Sequence, residues 1–352
     1  MDGARPITHT SAKQLVPVAN KPVLFYGLEA MAATGIREVG IIVGDTAAEI
    51  QAAAGDGSAF GLRITYIPQP APLGLAHAVL TAQDYLGDEP FVMYLGDNLL
   101  RDGITQFVRR FQETSPDALI LLQHVDDPSA YGIAELDGDG RVARLVEKPP
   151  QPRSDLALVG VYIFTPAIFA AARAIRPSAR GELEITDAIQ HLLDGGLRVE
   201  PHLVSGWWKD TGKLDDILQA NRLILSALED VSDASAANGL PEGCVDCRID
   251  GPVRIGAGSR LEHTTVRGPA VIGAGCRLTH AYIGPYTSLA DNVCVEQAEI
   301  EHSIVLAGSS IHGLDARLTD SLIGRGVTIA RSQQHPHACR FMVGDSSQIG
   351  VL

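Results

Sequence analysis

The chain has 352 residues, 45% of them apolar and 20% charged, and a formal net charge of -14. That length allows two packed domains, and the acidic balance excludes a general nucleic-acid binder, which needs a net basic face. No run of about 18 apolar residues offers a membrane span, and the opening MDGARPITHT lacks the charged-then-apolar pattern of a secretory leader, so a cytoplasmic location is expected.

In chain order, the first informative stretch is Ser11-Ala12-Lys13-Gln14-Leu15-Val16-Pro17-Val18-Ala19-Asn20-Lys21-Pro22. A lysine in a Pro-punctuated loop before a helix can hold a phosphate as a point charge. Taken alone, a solvated lysine is the commoner reading. Amphipathic stretches at Val23–Thr34 and Thr46–Ala54 flank a strand expected at Glu38–Val43, and a second strand is expected at Arg63–Ile67. Gln69-Pro70-Ala71-Pro72-Leu73-Gly74-Leu75-Ala76 follows that strand and opens a helix over Gly74–Tyr85. Gly74 permits close backbone approach, and Gln69 offers a base edge both donor and acceptor.

The apolar strand Phe91–Leu95 runs directly into Leu95-Gly96-Asp97-Asn98. A carboxylate at a strand's carboxyl end suits Mg²⁺, although Asp-Asn turns are common. Strands at Ala118–Leu122 and Gly160–Phe164 bracket Val146-Glu147-Lys148-Pro149. Arg180-Gly181-Glu182-Leu183-Glu184-Ile185-Thr186-Asp187 and Trp207-Trp208-Lys209-Asp210-Thr211-Gly212 complete the set. The alternation of strands and helices predicts an α/β, Rossmann-like, mostly parallel sheet with helices on both faces, which binds ligands just beyond its strands. A helix at Leu214–Leu228 leads to an Ala/Ser/Asp-rich linker.

Beyond residue 244 the period changes. Ile255, Leu261, Val266, Ile272, Leu278, Ile283, Leu289 and Val295 recur every five or six positions, with Ile-Gly pairs at Ile255, Ile272, Ile283 and Ile323. A six-residue repeat fits a parallel β-helix, each short strand adding one apolar residue to an interior stack. A β-sandwich would show period two instead. Ile304–Ser310 and Gln333–Met342 fit the repeat poorly and are expected as irregular turns or a cap. The expected organisation is a catalytic domain over 1–228, a linker over 229–243 and a β-helix over 244–352. The five cysteines (Cys244, Cys247, Cys276, Cys294 and Cys339) are odd in number and scattered, which argues against a disulfide framework.

Each motif alone is weak. In this order and spacing, the six resemble the sugar-phosphate nucleotidyltransferase family, and within it the long-form thymidylyltransferases that carry a C-terminal left-handed β-helix. The resemblance covers the chain from Arg5 onward. It implies nucleotidyl transfer from dTTP to glucose 1-phosphate, giving dTDP-glucose and pyrophosphate for deoxysugar biosynthesis. It also implies a Mg²⁺ cofactor and a homo-oligomer, with neither nucleic acid nor membrane as partner. Residue by residue, it implies Asp97 and Asp210 as magnesium ligands, and Lys13 as a phosphate contact that acts with Asp97 in catalysis. Gln69, Gly74 and Leu75 fall to the nucleotide. Tyr131, Gly132, Glu147, Lys148, Gly160 and Tyr162 fall to the sugar.

The family opens with a short hydrophobic strand and a loop of the type G-G-x-G-T-R-L-x-P. Here Arg5-Pro6-Ile7-Thr8 aligns with the end of that motif, and Gly3 stands where the family's catalytic arginine would be. The first strand and the glycine run are therefore expected to be missing, with about a dozen upstream residues needed to supply them. Two rival functions follow from the same residues. One is a weak or inactive sugar-nucleotide-binding paralogue. The other is a β-helix acyltransferase working through His263, His280, His302 or His312.

Overall fold

The computed structural model describes residues 12–228 and 243–331. The opening segment with Gly3 and Arg5, the linker save Gly243, the Gln333–Met342 stretch and Cys339 lie outside the described residues. After a 3₁₀ turn at Lys13–Leu15, the described chain forms a hairpin of two short strands, β1 (Pro17–Val18) and β2 (Lys21–Pro22). Then come α1 (Val23–Ala33), β3 (Glu38–Val43), α2 (Ala47–Ala54), β4 (Arg63–Pro68), α3 (Leu75–Thr81), α4 (Gln83–Leu86), β5 (Phe91–Tyr94) and β6 (Asn98–Leu100). They are followed by α5 (Thr105–Thr114), β7 (Ala118–His124), β8 (Gly132–Leu136), β9 (Val142–Glu147) and β10 (Leu156–Phe164). Last before the repeats are α6 (Ala167–Ala174), α7 (Ile185–Asp194), β11 (Val199–Leu203), β12 (Trp208–Asp210) and α8 (Leu214–Ser226). Two compact units result. One is Val23–Asp210, and the other takes the described residues up to Pro22 and from Thr211 onward.

In the first unit, β10 is the spine. All nine of its residues are buried, as its unbroken apolar run LALVGVYIF requires of a strand covered on both faces. Along β7 the side chains alternate. Ala118, Ile120 and Leu122 face a core shared with α6 and α7, whereas Leu119 and Leu121 join Phe107 and Phe111 of α5 on the other side. The sheet runs β11-β7-β10-β8-β9, with β5 also paired to β10.

The α/β class is as expected, but the pairing is mixed. Among the described strand pairs of the first unit, β3–β4 and β7–β11 are parallel, while β10 lies antiparallel to β5, β7 and β8. The reason is the β8–β9 hairpin, after which β10 runs back beside β8 without the crossover helix a parallel partner would need. Among the described residues β3 pairs only with β4, and β5 only with β10.

The second unit contains a parallel β-helix with three faces. Each face stacks one apolar column: Leu261, Leu278, Val295 and Ile311; Val266, Ile283 and Ile300; Ile272, Leu289 and Val305. These side chains are almost wholly buried. The coil repeats every 17 residues from Leu261 to Leu278 to Val295. Ile304–Ser310, expected to fall outside the repeat, lies within it. There one coil is 16 residues (Leu289 to Val305) and the next is 18 (Val305 to Ile323). The sequence slips out of phase while the backbone ladder keeps its register. No helix among the described residues is long and apolar enough to cross a membrane.

Candidate active site

The site begins where β5 ends. Leu95 donates its N–H to Gly160 O at 2.8 Å, and the chain turns through Gly96 and Asp97 into β6. β6 pairs antiparallel with β12, which sets Asn98 opposite Asp210. Asp97, one residue before Asn98, and Asp210 therefore sit at the same end of one short ladder.

Asn98 holds that ladder in place. It is 2% exposed. Its Oδ1 accepts from Trp208 Nε1 at 2.6 Å and from Gly160 N at 3.2 Å, and its Nδ2 donates to Asp97 Oδ1 at 3.0 Å. A buried carboxamide is tolerated because both of its ends are satisfied. Gly160 lies where β10 shifts register between Leu158 and Tyr162. A β-carbon there would stand 2.6 Å from Asn98 Oδ1 and 2.7 Å from Leu95 Cδ1. The glycine is thus required by the contact with Asn98.

The second half of the site is built on the β8–β9 hairpin, which sets Gly132 opposite Glu147. Glu147 Oε2 accepts from Thr186 Oγ1 at 2.7 Å, and Oε1 faces Arg180 Nη2 at 3.0 Å. A β-carbon at Gly132 would come within 2.5 Å of Thr186 Oγ1. Arg180 also pairs with Glu184 at 2.9 Å. Lys148 follows with a left-handed φ of 42° and donates its N–H to Tyr131 O at 3.0 Å. Such a conformation costs a non-glycine residue about 1–3 kcal/mol and clusters at functional sites. The Tyr131 ring packs edge-on to Trp208, 5.3 Å between centroids. Tyr162 is buried, and its hydroxyl is held protonated well above the usual tyrosine range, first by burial and then by the charges of Glu147 and Asp210.

These side chains share a cavity of ≈ 140 Å³ lined by Leu75, Tyr131, Gly132, Glu147, Lys148, Gly160, Tyr162 and Asp210, together with Asn98, Thr186 and Trp208. A wider cavity of ≈ 790 Å³ shares Glu147, Lys148 and Glu184 with it and adds Arg144, Arg180 and Asp187. Eight of the residues singled out in the sequence thus meet around one hollow. Asp97 adjoins it through Asn98.

Gly74 has φ 101°, and a β-carbon there would clash with the Leu183 backbone at 2.5 Å, so its freedom serves packing against the Arg180–Asp187 segment. Gln69 points its Nε2 at Gly74 O (3.4 Å) and His77 Nδ1 (2.9 Å). Lys13 stands in the 3₁₀ turn Lys13–Leu15, in the other unit. Asn98, Thr186 and Arg180 lay inside quoted motifs, but nothing in the sequence gave their roles. Each acts by orienting a neighbour brought close only by the fold.

The donor set suits a hard divalent cation. Two carboxylates close the β6–β12 ladder, and a cation that retains water and phosphate ligands needs only one or two such groups. The β-helix histidines belong to the other unit. His263 is 2.8 Å from Asp246 and stacked on His280, His302 lies near Asp320, and His312 near Glu296. Neither cavity above includes any of them.

Comparison with known proteins gives a consistent result. The family model for nucleotidyl transferases matches residues 4–227. A glucose-1-phosphate thymidylyltransferase of Streptomyces antibioticus is 56% identical over 350 residues, 99% of this chain and 96% of the relative. The low-salt glycan biosynthesis nucleotidyltransferase Agl11 of Haloferax volcanii is 49% identical over 347 residues, 98% and 96% of the two chains. Among solved structures, one from Bacillus anthracis, described as a glucose-1-phosphate thymidylyltransferase in complex with a sucrose, aligns at TM-score 0.59 and 34% identity. That alignment covers 62% of this chain and 89% of that one.

Proposed function

The chain belongs to the nucleotidyl transferase family, and from that premise we propose that it transfers the thymidylyl group of dTTP to glucose 1-phosphate, releasing pyrophosphate. The observation that carries this reading is the convergence of Asp210, Glu147, Lys148 and Tyr162 on one cavity, with Asp97 at its edge. Thymine and glucose come from the names of the relatives, two of which match over nearly the whole chain.

The chemistry asks for alignment and charge neutralisation rather than a covalent intermediate. An oxygen of the sugar phosphate attacks the α-phosphorus of the triphosphate, and pyrophosphate leaves in line. Asp97 and Asp210 would hold Mg²⁺, which when bound supplies positive charge between two anionic reactants. Lys13 and Lys148 would offset further phosphate charge, and Arg180, the cation that orients Glu147, stands on the same side as Lys148. Glu147 keeps acceptor capacity for sugar hydroxyls beyond its bonds to Arg180 and Thr186. Tyr162 offers a neutral hydroxyl on the sugar side, and Gly132 and Gly160 line that side while letting Thr186 and Asn98 pack close enough to orient Glu147 and Asp97. Gln69, oriented by Gly74 and His77, keeps Oε1 as an acceptor for a base N–H, and Leu75, which lines the smaller cavity, would add an apolar contact to the nucleotide.

The same reading makes the protein a cytoplasmic homo-oligomer and gives its β-helix no part in acyl transfer. Initial rates for the four common nucleoside and deoxynucleoside triphosphate bases against several sugar 1-phosphates test it. The expected outcome is the highest kcat/KM for dTTP with glucose 1-phosphate. Turnover of another pair by about a hundredfold more would replace the substrates, and binding without turnover would favour a non-catalytic paralogue.

A further inference from the structure

Lys13 and Lys21 stand at the two ends of one short segment whose shape is set by the β1–β2 hairpin. Its two-residue turn, Ala19–Asn20, is left-handed at both positions, φ 49° and 64°. Primed hairpin turns demand this backbone and favour Asn-Gly, and alanine does not adopt it unaided.

The turn is held from within its own unit. Asn221, on α8, accepts from Ala19 N through Oδ1 at 2.8 Å. The same oxygen accepts from Ser288 Oγ at 2.7 Å, and Asn221 Nδ2 donates to Tyr286 O at 3.0 Å. Asn20 Nδ2 donates to Leu289 O at 2.6 Å. Asn221 is 1% exposed and Ser288 is fully buried. Ser288 and Leu289 lie on one face of the β-helix, in the strand Thr287–Leu289 that follows Tyr286, itself left-handed at φ 59°. A buried carboxamide is costly to keep without its partners, and a helix docked for packing alone would carry an apolar residue there. Asn20 Oδ1 is buried with no hydrogen-bond partner among the described residues, a defect that a turn built only for stability would avoid.

We propose that Asn221 is a positioning residue for the phosphate-binding segment. The β-helix, through Tyr286, Ser288 and Leu289, fixes the left-handed Ala19–Asn20 turn and so fixes where Lys13 and Lys21 stand. The β-helix is then part of the nucleotide-binding apparatus. The proposal rests on the reading of Lys13 as a phosphate contact.

The test uses the full chain with dTTP, glucose 1-phosphate and Mg²⁺, and compares Asn221→Ala, Ala19→Gly and the double variant. Asn221→Ala is expected to raise KM for dTTP about tenfold while KM for glucose 1-phosphate stays within about twofold. Ala19→Gly eases the left-handed turn, so the double variant is expected to recover most of that loss, a coupling that a general loss of stability would not produce. Hydrogen exchange supplies a readout independent of turnover. Amides of residues 18–21 are expected to exchange about tenfold faster in Asn221→Ala, with β10 unchanged. If Asn221→Ala does not fold, Asn20→Gly keeps the turn's backbone preference but cuts the tie to Leu289, and is expected to raise KM for dTTP about threefold. Unchanged exchange at the turn, or an equal rise in both KM values, overturns the proposal. If Lys13→Ala leaves KM for dTTP unaltered while Asn221→Ala loosens the turn, the reading of Lys13 fails and the positioning of the segment stands.

Discussion

Trp208 donates its indole N–H to Asn98 Oδ1 at 2.6 Å, and that bond joins the strand beginning just after Asp97 to the strand ending at Asp210. The two carboxylates are therefore positioned by a side chain that is itself neither charged nor exposed. Trp208→Phe keeps most of the packing and deletes the donor. It is expected to cost about 1–2 kcal/mol of stability, since Asn98 Oδ1 stays buried with one partner fewer. The expected kinetic effect is a fall in kcat of about tenfold with little change in KM for either substrate. Denaturant titration and initial rates check both parts.

Gly160 faces the same asparagine from the other side. In Gly160→Ala the new methyl would stand 2.6 Å from Asn98 Oδ1 and 2.7 Å from Leu95 Cδ1, in a strand with no exposed residue. Overpacking of this kind costs about 1–3 kcal/mol. Activity is expected to fall further than stability, because Asn98 must move and Asp97 moves with it. A variant that melts lower but turns over normally would show that the Asn98 contact does not govern the site.

Glu147→Gln separates binding of the sugar from binding of the nucleotide. The amide can still meet Thr186 but loses the ion pair with Arg180. KM for the sugar 1-phosphate is expected to rise about tenfold, with KM for the triphosphate within about twofold. A rise confined to the triphosphate would reassign the cavity.

Burial and the neighbouring Glu184 charge hold the Asp187 carboxyl above the ordinary aspartate value. The folded protein binds this proton more tightly than the unfolded chain does. The resulting stability is fully present below the ordinary value of about 3.9 and is lost as pH rises through the higher folded value. Asp187→Asn, which cannot ionise, is expected to melt above the parent at pH 7, with the gap closing towards pH 4. Because the carboxylate is partly exposed, solvent screening keeps the gain below about 1 kcal/mol. A gap that widens on acidification would contradict the assignment.

Asp97 was legible because it sits where the apolar run Phe91–Leu95 ends, whereas Gly160 and Tyr162 lie inside the apolar run of β10, where the pattern marks no single residue. The sequence carried the β-helix by period. It could not show that the period slips at Ile304 because one coil drops a residue and the next adds one. Nor could it show that β10 runs antiparallel to its neighbours, since a fully apolar strand reads alike in either direction. The roles of Asn98, Thr186 and Arg180 were hidden for a related reason. Their partners, Gly160 and Trp208 for the first and Glu147 for the other two, are distant in sequence and near only in space. The strain at Lys148 and at Ala19 left no mark either, because neither residue type is one that announces a left-handed backbone.

On the proposed function, Asp97 and Asp210 make this cavity a site of nucleotidyl transfer. Pyrophosphate release from dTTP and glucose 1-phosphate with Mg²⁺ tests it most directly, with Asp97→Asn and Asp210→Asn measured beside the parent chain. The parent is expected to release pyrophosphate only when both substrates are present. Each substitution is expected to lower the rate by about 10²–10³, the scale on which a preorganised electrostatic contact acts, with melting little changed. Release that persists undiminished in Asp97→Asn would contradict it, as would a parent chain that binds dTTP and never releases pyrophosphate.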